Sequence, residues 1–173
     1  MREKTKRLTV CAMLSALGVV LLYLGSMVEV LDMSMAVLVS LLAVFAVIEY
    51  GGAAPWLVYG VTGTLSLILM SHQPTPALMY LLFFGYYPIL KEKLEKCPRI
   101  LSWVLKEAVF HVALILMLVL GHLILTAPEG TTPWQMYLGL IALCELAFPL
   151  YDVALSRLIT FYLVKLRHRF RMK

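Results

Sequence analysis

The first apolar run of the chain, LTVCAMLSALGVVLLYLGSMV at residues 8–28, sets its architecture. The run contains no charged side chain, and about 20 apolar residues are enough for a helix to cross the hydrocarbon core of a bilayer. A lone strand would leave its backbone hydrogen-bonding groups unpaired in lipid. The run therefore predicts a membrane-spanning α-helix.

Small residues interrupt this run at helical spacing. Ala12, Ser15 and Ala16 lie about one turn apart, and the spacing places them on one face of the helix. A flat strip of small side chains allows a second backbone to approach closely. The second backbone belongs either to a neighbouring helix of this chain or to another protein, and the spacing fits both.

Composition extends the membrane assignment to the whole chain. Hydrophobic residues make up 62% of the 173 and charged residues 14%, whereas soluble domains have about 45–50% and about 25%. We predict an all-α integral membrane protein, a single six-helix bundle over residues 1–173. The predicted spans are about 8–28, 35–50, 53–71, 76–90, 100–126 and 134–164.

The basic residues predict the orientation. They cluster in residues 2–7, 91–106 and 157–173. With six spans and both termini in the cytosol, all 15 Lys and Arg face the cytosol, as the positive-inside rule requires. The net charge of +5 is then explained by contact with anionic lipid headgroups, and no nucleic-acid partner is expected.

Motifs for catalysis or metal binding are missing from the sequence. The three cysteines are far apart, and no CxxC, HExxH, P-loop or GxSxG pattern occurs. We therefore predict no catalytic residue, no metal site and no cofactor. If the protein drives transport, its energy comes from an ion gradient or from a partner.

Polar side chains concentrate in three loops on the predicted outer side, at residues 27–35, 71–76 and 127–135. With two groups inside the spans they form a predicted substrate-binding set: Glu29, Asp32, His72, Gln73, His122, Trp134 and Glu145. Acids without outer basic residues favour a neutral or cationic solute. The alternative is that surface loops are polar in any membrane protein and that Trp134 belongs to the aromatic belt.

The last two predicted spans contain ionisable side chains, whose presence requires an explanation because a charge in lipid is costly. Glu107, His111 and His122 share one arc of the fifth helix, and Glu145 and Asp152 share a face of the sixth. Three explanations stay open: acid–base pairs that lock the two helices together, the floor of an outward-facing ligand pocket, and a proton relay.

The chain resembles the substrate-binding S components of energy-coupling factor (ECF) transporters, small bacterial proteins of the cytoplasmic membrane. The resemblance lies in size, six-span layout, cytosolic termini and an Ala-x-x-x-Ala pattern, matched by Ala12 and Ala16 in AMLSA. It implies capture of a vitamin-like solute from outside, docking of this strip on a transmembrane coupling subunit, and two partner ATPases. No signature for a particular vitamin occurs in the outer loops, so the solute is unassigned.

Three other functions fit the same sequence. A membrane scaffold, such as an MreD-like cell-shape factor, would use the small-residue face without binding a solute. A proton-coupled carrier would depend on Glu145 and Asp152. An intramembrane enzyme acting on lipid would need Glu107 with His111, or Glu145, as its acid–base group, but no nucleophile or metal site accompanies them.

Overall fold

The computed structural model describes residues 2–124 and 134–166. All regular elements of these residues are helical, and no strand occurs among them. The helices are α1 (Arg2–Ser26), α2 (Asp32–Glu49), α3 (Ala54–Leu69), α4 (Thr75–Met79), α5 (Tyr87–Leu94), α6 (Arg99–Ile124) and α7 (Trp134–Phe161). Residues 1–121 form one compact unit and residues 122–173 a second.

Four helical segments are long and apolar enough to cross a membrane: Lys4–Ser26, Asp32–Glu49, Arg99–Gly121 and Ile141–Lys165. This finding confirms the all-helical prediction and supports a membrane-embedded protein. The other two predicted spans differ from simple spanning helices. The span predicted at 53–71 is the shorter apolar helix α3, and the span predicted at 76–90 is divided into α4, a π-helical segment and α5.

Helices α1 and α2 form an antiparallel pair. Gly25 near the end of α1 lies so close to α2 that a Cβ there would be 2.9 Å from the Cβ of Met35. At the other end, the Arg7 guanidinium donates a hydrogen bond of 2.6 Å to the carbonyl of Gly51, just after α2. The two contacts pair the start of each helix with the end of the other.

Helix α3 runs parallel to α1. Near the start of both helices, Cys11 belongs to a buried cluster with Ala54 and Val58. Farther along, a Cβ on Gly18 would lie 2.9 Å from Cγ2 of Thr62. Because Gly18 has no side chain, the α1 backbone can approach α3 closely at this level.

The turn between α2 and α3 depends on two glycines. Gly51 and Gly52 have φ angles of 55° and 58°, a left-handed conformation in which a Cβ is strained. The Gly51 N–H donates to the carbonyl of Ala46 at 3.1 Å, which closes the end of α2. Pro55 then occupies the first turn of α3, where its missing N–H costs nothing.

The π-helical segment Tyr80–Phe84 interrupts the rod between α4 and α5. The Gly85 N–H donates to the carbonyl of Tyr80, five residues back, at 2.7 Å. This shift releases the carbonyl of Leu81, which instead accepts a hydrogen bond of 2.9 Å from the Tyr59 hydroxyl of α3. A side chain on a neighbouring helix thus satisfies the group that the π turn leaves open.

The first unit has two chemically different ends. At one end the α2–α3 turn contacts Arg7, and α5 and α6 bring Lys91 and Lys106 to the same carboxylate of Glu95. We call this the basic end. At the opposite end, the distal end, α1 leads into α2 through Glu29–Leu31, and α3 leads into α4.

The second unit is built on α7, which contains Pro149 in its interior and continues into the π-helical segment Tyr162–Leu166. Proline has no N–H, so the carbonyl of Glu145, four residues earlier, loses its helical donor. Phe148, Asp152 and Leu155 are buried, whereas most other described side chains of the helix are partly or fully exposed.

Candidate functional site

Polar side chains line the interior of the first unit. Ser40, Thr62 and Ser66 are fully buried, and Ser15 and Asp32 are more than nine-tenths buried. In membrane helices such side chains either join helices to each other or bind a ligand, because an unsatisfied polar group is costly there. The interior hydroxyls together with Asp32 form the candidate site.

Two of these hydroxyls lack a hydrogen bond. Within the described residues, Oγ1 of Thr62 and Oγ of Ser66 have no partner, although serine and threonine in helices usually donate to a carbonyl of the preceding turn. The exposed Thr64 does so, donating to Gly60 at 2.7 Å. Burial of an unpaired hydroxyl costs about 1–3 kcal/mol, so a polar partner would be favourable at both positions. Thr62 lies in the close contact between α3 and Gly18 of α1, and Ser66 lies nearer the distal end of α3.

Asp32 provides a buried acid at the distal end. It is the first residue of α2 and is 7% exposed. A carboxylate in the first turn of a helix interacts favourably with the positive end of the helix dipole. Ser66 lies one turn before the end of α3, so both residues belong to the distal half of the unit.

The other predicted solute-binding residues of the first unit also lie at the distal end. His72 is exposed and Gln73 is half-buried, and the Gln73 N–H donates to the carbonyl of Met70 at 3.0 Å. Glu29 belongs to the short 3₁₀ helix before α2, and its side chain lies outside the described residues. The fold therefore brings the two predicted loops to one end of the unit.

Three predicted residues belong to the second unit. The backbone of His122 is helical and Trp134 begins α7, but both side chains lie outside the described residues. Residues 127–133 of the predicted loop at 127–135 also lie outside them. Glu145 is half-buried on α7. Whether these side chains contribute to solute binding stays a prediction.

The small-residue strip of α1 is divided between two environments. Ser15 is buried, with Cys11 and Gly18 on the same side of the helix, whereas Ala12 and Ala16 are exposed. Bulky side chains such as Met13 and Leu17 flank the two alanines and are also exposed. The predicted shared face therefore separates into an internal packing position, Ser15, and an external pair, Ala12 and Ala16.

Two of the predicted ionisable groups of α6, Glu107 and His111, are one turn apart and in contact. Nδ1 of His111 lies 2.9 Å from the carbonyl of Glu107, one turn earlier. A carbonyl only accepts, so Nδ1 carries the proton in this contact. His111 is exposed and Glu107 is half-buried. The pairing, pocket and relay explanations stay predictions.

At the basic end, two buried lysines share one carboxylate. Nζ of Lys91 lies 3.0 Å and Nζ of Lys106 lies 3.3 Å from Oε1 of Glu95. The side chains of Lys91 and Lys106 are 1% and 6% exposed, whereas that of Glu95 is 46% exposed. This ion network joins α6 to the end of α5.

Sequence reasoning did not select Ser40, Thr62 or Ser66. The available signal was the spacing of Thr62 and Ser66, four residues apart in an otherwise apolar span, which places both hydroxyls on one helix face. Burial of that face depends on contacts between α3 and its neighbours. Such contacts between separate helices are not visible in a local pattern.

The fold and the site together define a helical protein with apolar helices of membrane-spanning length and a polar interior in its first unit. No family model, no curated protein and no solved structure matches the chain.

Proposed function

We propose that the chain is a six-span protein of the bacterial cytoplasmic membrane with both termini in the cytosol. The four long apolar segments, the shorter α3 and the interrupted rod from α4 to α5 supply six crossings. The grouping of Arg7, Lys91 and Lys106 at the basic end supports this topology. The positive-inside rule then places the basic end in the cytosol and the distal end outside.

In this membrane the protein acts as the substrate-binding subunit of an ECF-type uptake transporter. The observation that carries the proposal is the exposure of Ala12 and Ala16 on α1. Two alanines one turn apart leave a shallow depression on a helix surface that is otherwise bulky, and a second helix can approach closely there. A transmembrane coupling subunit with two ATPases is the proposed partner.

The solute enters from the distal end in this proposal. Asp32 is buried and Gln73 and Thr75 are half-buried in the two distal loops. Ser66 lies deeper in the unit with an unpaired hydroxyl. The predicted outer loops contain acidic residues and no Lys or Arg, which favours a cationic or neutral solute that donates hydrogen bonds. Closure of the loops would exclude water and strengthen these contacts.

Tryptophan substitutions on α1 test the docking surface. We expect Ala12→Trp and Ala16→Trp each to reduce recovery of the coupling subunit about tenfold, because overpacking an interface costs about 1–3 kcal/mol. The measurement is quantitative mass spectrometry of proteins that co-purify with the tagged chain from a bacterium encoding an ECF module. Leu57→Trp is the matched control, since Leu57 is an exposed leucine of α3 instead of α1.

Equal recovery from all three variants would contradict docking at the alanine pair. A scaffold of the MreD-like kind would also lose partners on substitution at Ala12 or Ala16. Its partners, however, would not include the ATPases, and no small molecule would co-purify with it. The identity of the lost partner therefore separates the two functions.

Removal of the unpaired hydroxyls tests the solute site separately. Thr62→Val and Ser66→Ala remove no hydrogen bond within the described residues, so we expect unchanged or slightly higher thermal stability. If the hydroxyls bind solute, the mass of a co-purified metabolite in native mass spectrometry should disappear. Thr64→Val is the control, because that hydroxyl is exposed. Loss of stability with retention of the metabolite would indicate a purely structural role.

A further inference from the structure

A groove of about 480 Å³ lies along one side of α7 and the π-helical segment that follows it. Six side chains line it: Ser156, Arg157, Thr160, Phe161, Val164 and Lys165. At helical spacing Arg157 and Val164 occupy the middle of this side, the two hydroxyls lie on one flank and Phe161 with Lys165 on the other. The groove belongs entirely to the second unit.

The lining is cationic and contains no acid. Arg157 and Lys165 carry its two charges, and Nζ of Lys165 lies 5.4 Å from the centre of the Phe161 ring. The nearest acid in the preceding turn, Asp152, is buried and does not line the groove. The groove therefore presents net positive charge beside an apolar wall.

The hydroxyls of the groove are acceptors. Ser156 donates its proton to the carbonyl of Asp152 at 2.9 Å, and Thr160 donates to the carbonyl of Ser156 at 2.9 Å. Their oxygen lone pairs stay available to a donor in the groove. Hydrogen bonds to an anion must come from the guanidinium of Arg157 and the ammonium of Lys165.

If α7 enters the hydrocarbon core at its first residue, Trp134, the groove lies at a membrane surface. Arg157 lies 23 residues after the first residue of the helix, Trp134, a distance of about 35 Å. The hydrocarbon core is about 30 Å thick, so a helix that enters at Trp134 has crossed it before Arg157. The exposed Arg157 then lies among lipid headgroups, and the exposed side chains of Phe161 and Val164 form the apolar part of the groove.

We propose that this groove binds the headgroup of an anionic phospholipid, and that it fits phosphatidylglycerol. The guanidinium of Arg157 binds the phosphate oxygens in a forked geometry, and Lys165 adds a second charge-assisted hydrogen bond. The glycerol hydroxyls of the headgroup donate to the oxygens of Ser156 and Thr160. This site is independent of the proposed solute site and of the docking surface on α1.

The test compares lipid retention by the full chain and by a double variant. Arg157→Gln with Lys165→Gln should weaken phosphatidylglycerol binding about 30-fold, since each cation contributes about fivefold at a membrane surface. Binding is measured by native mass spectrometry of delipidated protein titrated with phosphatidylglycerol, with phosphatidylcholine as the uncharged comparison. Lys93→Gln with Arg99→Gln is the control, because it removes the same charge from exposed positions elsewhere.

The control variant should change phosphatidylglycerol binding less than twofold, and thermal unfolding of all variants should match the unmodified chain. Equal losses in both double variants would overturn the proposal, since general surface charge would then explain the binding. Equal affinity of the unmodified chain for the two lipids would also overturn it. Displacement of phosphatidylglycerol by excess inorganic phosphate would assign the groove to a free anion instead of a lipid.

Discussion

Replacement of Gly85 by alanine is expected to lower the free energy of unfolding by about 1–3 kcal/mol, the usual cost of overpacking. A Cβ at this position would lie 2.6 Å from Cδ2 of Tyr59 and 2.8 Å from Cζ of Tyr80. Both neighbours are rigid rings whose centres are 6.0 Å apart. Neither ring can move aside without disturbing the other or the hydrogen bond from Tyr59 to Leu81.

The backbone at Gly85 has helical angles, φ −77° and ψ −42°, which any residue can adopt. The neighbouring rings alone therefore oppose a side chain at this position. Gly60→Ala in α3 is the matched control because a Cβ there meets nothing within 4 Å. That change should raise stability by about 0.5–1 kcal/mol, the helix preference of alanine over glycine. Unfolding in detergent by SDS titration measures both variants. A similar change in the two would show that the aromatic contacts around Gly85 do not limit packing.

The contacts of Tyr59 explain why the sequence predicted the position of the fourth apolar span but not the π turn within it. Its length and hydrophobicity predict one helix over 76–90, and Gly85 and Pro88 only weaken that prediction. The observed π turn depends on Tyr59, a residue of another helix that supplies a hydrogen bond to Leu81. A local sequence pattern cannot predict a hydrogen bond from a donor more than 20 residues away.

The first helix shows how much of the candidate site could be predicted. The 8–28 run correctly predicted a long apolar helix. The close approach to α3 occurs at Gly18, which lies against Thr62 and was not part of the predicted strip. The prediction of one face for Ala12, Ser15 and Ala16 was too coarse. Successive residues of a helix are rotated by about 100°, so Ser15 and Ala12 are about 60° apart around the helix axis. Ser15 lies on the buried side of α1 and Ala12 on the exposed side.

The basic end shows a third kind of difference between pattern and structure. Lysines at the end of a membrane helix are expected to extend into the headgroup region. Lys91 and Lys106 are instead buried, because Glu95 lies within ion-pair distance of both. The sequence shows one basic cluster at residues 91–106 but does not show that its members form a network between two helices.

This network leads to a prediction for Glu95. We expect Glu95→Gln to lower the free energy of unfolding by about 2 kcal/mol, because both buried ammonium groups lose their shared carboxylate. Removal of one partner of a fully buried ion pair costs about 3–5 kcal/mol. The smaller value applies here because Glu95 is partly exposed and because each lysine has a further interaction.

Glu92→Gln is the control for Glu95→Gln, because it removes a carboxylate that pairs with an exposed lysine instead of two buried ones. Glu92 of α5 pairs at 3.3 Å with Lys96 in the turn after the helix, and both side chains are exposed. We therefore expect a change of only about 0–0.5 kcal/mol. SDS titration of the two variants at low and high salt provides the measurement. Salt should reduce the small Glu92 effect and leave most of the Glu95 effect, since buried pairs are screened much less. Equal losses at both positions would mean that the lysines at the basic end are solvated, and the ion network would not hold α6 against α5.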